Sequence, residues 1–147
     1  GPGIMAAANR GASEAGAPTI GFNIRLPHEQ HPNPWITPGL AFRFHYFALR
    51  KMHFLLRARA LVAFPGGFGT LDEVYEALNL VATRTIEPIP IVLVGREYWS
   101  RMLDLDHLVA EGLIGAPEAA LVHRCETGAE AARHVLEHCG CENHPAR

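Results

Sequence analysis

LVAFPGGFGTLDEVYEAL, residues 61–78, sets a short apolar run, a glycine-rich turn and a helix-forming stretch in immediate succession. Leu61 to Phe64 is too short for a helix and fits a buried strand. PGGFG then breaks the chain, and Thr70 to Thr83 runs on without Pro or Gly, which predicts a helix. In α/β proteins such strand–turn–helix units place ligands at the carboxyl ends of parallel strands. Gly66, Gly67 and Gly69 remove side chains where a ligand could approach the backbone, and the following helix offers unpaired N–H groups at its positive end. The turn reads either as a phosphate cradle or as a tight connection that merely needs glycine φ values. A Walker loop is excluded because it requires G-K-[ST] and no lysine is present here. A G-x-G-x-x-G dinucleotide fingerprint fails because position 72 is Asp.

Outward from this unit, Ile89 to Val94 is a continuous apolar strand of the kind covered on both faces in a parallel sheet. Helical material is expected to about Gly112, then a weak strand over 121–124 and a last helix from Thr127, where T-G-A-E can form a capping box with Glu130. Upstream, a long helix is expected from Leu40 to Arg59, with Leu40, Phe44, Phe47, Leu55 and Ala58 on one stripe. On that helix Arg43, Arg50 and Arg57 would share one face, drifting only ~20° per heptad. Thr19 to Ile24 reads as a short strand, and the proline-rich residues 25–39 as an ordered loop. Residues 1–16 read as a helix that Gly16 can cap. A helix led by glycine normally follows a strand in such folds, so the reading expects an upstream βαβ portion that this sequence does not include. The fold class expected is α/β, a Rossmann-like three-layer sandwich with a mainly parallel sheet, forming one nucleotide-binding domain over residues 1–147.

A chain of 147 residues, 48% apolar and 19% charged, is long enough to bury a core without disulfides or a structural metal. A formal charge of -2 gives no global field for gripping nucleic acid or an anionic membrane, so any anion site has to be local. No apolar run approaches the ~18 residues of a membrane span, and the start lacks signal-peptide character, which points to the cytoplasm. Three cysteines leave at least one unpaired, as expected in a reducing compartment.

Two features invite chemistry. Thr70 and Glu73 form T-x-x-E, so Glu73 is either the reciprocal partner of a helix cap or a carboxylate placed beside the turn for catalysis. The preceding basic stretch carries Arg50, Lys51 and Arg57, either as solvated charge or as counter-charge for an anion.

These residues resemble a known family. FALRKMHFLLRARALVAFPGGFGTLDEVYEALNLV, residues 47–81, is similar to the LOG family of nucleoside 5'-monophosphate phosphoribohydrolases, many of which carry the label lysine decarboxylase. The family signature is an RK pair followed by P-G-G-x-G-T-x-x-E, and both parts are intact at Arg50-Lys51 and at Pro65 to Glu73. GPGIMAAANRGA at the start resembles the family's G-G-G-x-x-G-x-M segment without its first glycines, and LPHEQHPN the loop of its longer members. The resemblance implies a Rossmann-like fold and hydrolysis of the N-glycosidic bond of a monophosphate such as AMP or a cytokinin riboside monophosphate. It assigns catalysis to Arg50 and Glu73, and substrate contacts to Gly3, Gly66, Gly67, Gly69 and Thr70. It implies a homodimer and no cofactor or metal. The chemistry suits the residue types: a carboxylate can stabilise an oxocarbenium-like charge and activate water, and a guanidinium fork can orient both partners.

A non-catalytic nucleotide or molybdenum-cofactor carrier on the same turn is the alternative, with the intact Arg50 and Glu73 against it. A pyridoxal-phosphate decarboxylase would need a Schiff-base lysine, and the single lysine, Lys51, sits beside Arg50 with no acidic partner at helical spacing. HCGCENH, residues 138–144, holds potential thiolate and imidazole ligands but reads as a polar tail. His28, Glu29, His31 and Asn33 read as loop residues, and Trp35, Tyr46, Tyr98 and Trp99 as packing aromatics before base-stacking ones.

Overall fold

The computed structural model describes residues 3–24 and 31–139, and the chain divides into two compact units, Gly1–Arg57 and Ala58–Arg147.

In the first unit, α1 (Ile4–Glu14) is built from an Ala-rich run and closes at Gly16, whose φ of +72° suits glycine. Ala17 N–H donates to the Ala12 carbonyl and Gly16 N–H to that of Ser13, the paired bonds of a Schellman stop. β1 (Gly21–Ile24) pairs in parallel with β2 (Ala41–Phe44), Phe22 opposite Phe42, and α2 (Phe47–Leu55) follows. The segment before β2 is tied down by polar side chains. Asn33 donates to Asn9 Oδ1 at 2.8 Å, Asn9 donates to the Thr19 hydroxyl, and Thr19 N–H donates to the Thr37 hydroxyl at 2.9 Å. The described part of the proline-rich loop is therefore ordered, as expected.

The single helix expected from Leu40 to Arg59 is not formed, because its first part is β2. AFRF also fits the strand period, with Phe42 and Phe44 either side of Arg43, and tertiary packing selects that reading. The ring of Phe22 lies 5.7 Å from Phe42, 5.4 Å from Phe44 and 5.6 Å from Phe54. The expected arginine face disappears with that helix: Arg43 lies on β2, Arg50 on α2, and Arg57 beyond its end.

The second unit is a sheet of β3 (Leu61–Ala63), β4 (Ile91–Val94) and β5 (Val122–Cys125) in that order, both pairings parallel. α3 (Phe68–Ala82) joins β3 to β4, while α4 (Arg96–Met102), α5 (Leu105–Ala110) and α6 (Ala116–Ala119) join β4 to β5. α7 (Gly128–Cys139) closes the described chain. All four residues of β4 are buried, as its unbroken apolar run requires, and α3 buries Val74, Ala77 and Val81 at helical spacing. Trp99 is fully buried, its indole N–H donating to the Val94 carbonyl at 3.1 Å. At α7 the cap departs slightly from the expected box. Thr127 Oγ1 accepts from Glu130 N–H at 3.2 Å, but the Glu130 carboxylate accepts from Glu126 N–H at 2.9 Å rather than from Thr127. Every strand pairing among the described residues is parallel, which is the α/β, Rossmann-like class expected.

Candidate functional site

The site begins where β3 ends. Phe64 packs on the cluster of Val92, Val94, Cys125 and Ala131, which anchors the strand before the chain turns. Pro65 and Gly66 make the turn, and Gly67 caps α3 in an extended conformation (φ -86°, ψ -155°) with no side-chain capping bond. Leu71 N–H donates to the Gly67 carbonyl at 3.1 Å, the first bond of the helix. The amides of Phe68, Gly69 and Thr70 precede that bond and have no acceptor within the helix. A 15-residue helix thus presents its amides and its positive end beside bare glycines.

The backbone shows which of those glycines the turn itself needs. None of Gly66, Gly67 or Gly69 has a positive φ, so the turn does not need them for conformation. Gly66 is required for space, since a Cβ there would lie 2.2 Å from Thr70 Oγ1 and 2.8 Å from Thr70 Cβ. At Gly67 and Gly69 a Cβ would meet nothing within 4 Å. Their missing side chains leave open room over exposed backbone, the feature a cradle requires.

Glu73 also changes character. With Gly67 as N-cap, Thr70 is the third helical residue and Glu73 the sixth, so Thr70 does not cap the helix and a capping box on it is not formed. Glycine is itself an acceptable N-cap, and starting there lets the helix begin two residues earlier than Thr70. Glu73 is half-buried, one turn further in than a capping partner, and Asp72 beside it is exposed.

Sequence reasoning missed the brace around the turn. The Tyr98 hydroxyl donates to the Gly66 carbonyl, and the Tyr98 ring meets that of Trp99 edge-on at 5.0 Å and 88°. Gly95 has a φ of +97°, and a Cβ there would lie 3.2 Å from Pro65 Cγ, so the β4–α4 connection abuts the turn. The available signal was topological, because loops after neighbouring parallel strands emerge at the same sheet end. Phe68 is 92% exposed, so core packing does not set the start of α3.

Gly66, Gly67, Gly69, Thr70 and Glu73 thus lie together in the second unit. Gly3 and Arg50 belong to the first, Gly3 as the N-cap of α1 with a φ of +75° and Arg50 half-buried on α2 beside Lys51. Of the lesser candidates, Asn33 is used in the clasp with Asn9, Trp35 lies under the Arg10 guanidinium at 5.3 Å, and Trp99 is core. Tyr46 is exposed at the N-cap of α2, as is His31 in its loop. His28, Glu29, Cys141 and His144 lie outside the described residues. Cys125 is buried, and desolvation first, then Glu130, pushes its thiol up from the ordinary 9.0, so it is no nucleophile at neutral pH.

The model of a family described as "Possible lysine decarboxylase" matches residues 5–135. A cytokinin riboside 5'-monophosphate phosphoribohydrolase of Arabidopsis thaliana is 26% identical over 98 residues, 66% of this chain and 46% of that protein. A probable cytokinin riboside 5'-monophosphate phosphoribohydrolase of Oryza sativa subsp. japonica is 28% identical over 82 residues, 55% of this chain and 33% of that protein. The matches therefore span less than half the length of either relative.

Proposed function

Because the chain belongs to the family described as possible lysine decarboxylases, the LOG family of the resemblance, we propose that it hydrolyses the N-glycosidic bond of nucleoside 5'-monophosphates. AMP or a cytokinin riboside monophosphate is the substrate class, and the products are the free base and ribose 5-phosphate. The observation that carries this reading is the uncapped start of α3, where Gly67 and Gly69 have no conformational reason to be glycine and leave room over free amides. A phosphate dianion fits such a helix start both by hydrogen bonding and by dipole.

The reaction asks three things of the protein. The glycine turn holds the 5'-phosphate, which fixes the ribose. As the C1'–N bond breaks, its electron pair leaves with the base and positive charge develops on the ribosyl carbon, where a carboxylate stabilises it. The same carboxylate takes a proton from the attacking water, whose oxygen forms the new bond to C1'. Glu73 is assigned to both tasks on the resemblance, and as the sixth residue of α3 it stands beyond the helix cap. Arg50 and Gly3 enter on the resemblance, Arg50 to orient the substrate through its planar fork. A homodimer belongs to the same proposal, as do a cytoplasmic location and independence of cofactors.

A pyridoxal-dependent decarboxylase is not the reading adopted. Lys51 is the single lysine of the chain and adjoins Arg50 on α2, whereas pyridoxal chemistry starts from a Schiff-base lysine with its own cofactor cup. Calorimetry with AMP and adenosine, alongside chromatographic detection of free adenine, tests the proposal. Binding of AMP well above adenosine and release of adenine are expected. Equal affinities would remove the phosphate from the argument.

A further inference from the structure

α7 carries the run His134-Val135-Leu136-Glu137-His138, and the spacing i, i+3, i+4 sets His134, Glu137 and His138 on one face of the helix. One ligand atom from each of the three lies within 4.8 Å of the others. We propose that this face is a binding site for a divalent transition-metal ion that prefers imidazole, such as Zn²⁺, held by His134 and His138 with Glu137 supplying a carboxylate oxygen.

Two features prepare the rings for that task. The first is a tautomer lock: His138 Nδ1 lies 2.8 Å from the His134 carbonyl oxygen, which can only accept, so Nδ1 carries the proton. The lone pair of the neutral ring is then on Nε2, the atom free to meet a metal. A second hydrogen bond of this kind on the far nitrogen is how protein metal sites orient their histidines. The other feature is a ring stack: His123 of β5 lies flat on His134, centroids 3.7 Å apart and planes 7° off parallel, while His138 sits 4.0 Å from His134 on a ring tilted by 34°. The stack restrains the plane of the His134 ring.

The mixed imidazole and carboxylate set suits zinc and its neighbours better than calcium or magnesium, which take oxygen ligands. Zinc–nitrogen bonds of about 2.0–2.1 Å require ligand atoms roughly 3.3 Å apart, so the set has to contract. The Glu137 side chain is exposed and has the freedom to do so while His138 keeps its hydrogen bond, and solvent completes the coordination. Cys139 lies outside the set, its thiol donating to the Arg59 carbonyl at 3.3 Å.

The test uses the whole chain without an affinity tag, freed of metal by dialysis against a chelator. Zn²⁺ is titrated by calorimetry and Co²⁺ by its visible absorption, with far-UV circular dichroism confirming that each variant is folded. A single ion per chain is expected, with His134→Gln and His138→Gln each weakening binding at least about 10-fold, and the double variant abolishing it. His123→Ala should keep the stoichiometry with a smaller loss of affinity. Binding that survives the double variant overturns the proposal. So does binding lost only in the triple variant Cys139→Ser, Cys141→Ser, His144→Gln, which would place the ion on the tail beyond the helix, and so does the absence of any stoichiometric binding by the parent chain.

Discussion

Gly69→Ala separates what the glycine turn does for folding from what it does for ligand. The new methyl sits at the second helical position of α3, where φ is not positive and no atom lies within 4 Å of the added Cβ. An alanine there costs no contact and reduces the freedom of the unfolded chain, so the variant should be more stable by about 0.5–1 kcal/mol. For a chain of this length that is a rise in Tm of roughly 1–4 °C. Binding should move the other way. A methyl over the open backbone holds a phosphate off the α3 amides, and losing one charged hydrogen bond of about 1.5–3 kcal/mol weakens AMP roughly 10- to 100-fold. Gly66→Ala supplies the contrast, because its Cβ would sit 2.2 Å from Thr70 Oγ1. That overpacking should cost about 1–3 kcal/mol and lower the Tm. The assay is AMP calorimetry with thermal melting on the same samples. A Gly69→Ala protein that is more stable and binds AMP as well as the parent would refute the cradle, since the open space would then not be where the phosphate approaches.

Glu73→Gln, which keeps the size and shape of the side chain and removes only its charge, should lower release of adenine from AMP by roughly 10²-fold or more, with the Tm read on the same sample. Arg50→Lys should act similarly on turnover, a point charge being unable to replace the planar fork. Tyr98→Phe removes the hydroxyl that donates to the Gly66 carbonyl; AMP affinity should fall several-fold, and an unchanged affinity would show that the turn holds its shape without the brace. Cys125 gives a pH dependence. Its folded pKa is raised by burial above the unfolded 9.0, so its contribution to stability is complete below pH 9.0 and is lost as the pH climbs toward the folded value. Melting curves should therefore show a decline above pH 9.0 that is smaller in Cys125→Ala.

How far the sequence spoke for itself varied with the source of the information. Ile91 to Val94 announced a buried strand because four consecutive apolar residues have no other comfortable environment in a parallel sheet. The glycine turn was equally plain, since few local contexts use three glycines between a strand and a helix. β2 was read as helix because Leu40, Phe44 and Phe47 satisfy the helical period by coincidence, and the contacts that decide otherwise come from Phe22, which lies far away in sequence. The Thr70–Glu73 box failed for a different reason. A capping motif states where a helix can begin, not where it does, and Gly67 offered an earlier start. Tyr98 could be placed only to the same sheet end as the turn, and its bond to Gly66, like the histidine stack, depends on side-chain placement that no local pattern encodes.

The brace has an optical consequence. Tyr98 touches the turn through its hydroxyl and Trp99 through its ring edge, and Trp99 is wholly enclosed. Any shift of the Gly66 carbonyl is thereby relayed to an indole shielded from solvent quenchers. The one other tryptophan, Trp35, lies in the other unit, so Trp35→Phe leaves a single emitter next to the turn. The chain thus holds an intrinsic chromophore wired to its glycine turn, and the proposed binding of a phosphate there can be read by fluorescence without any label.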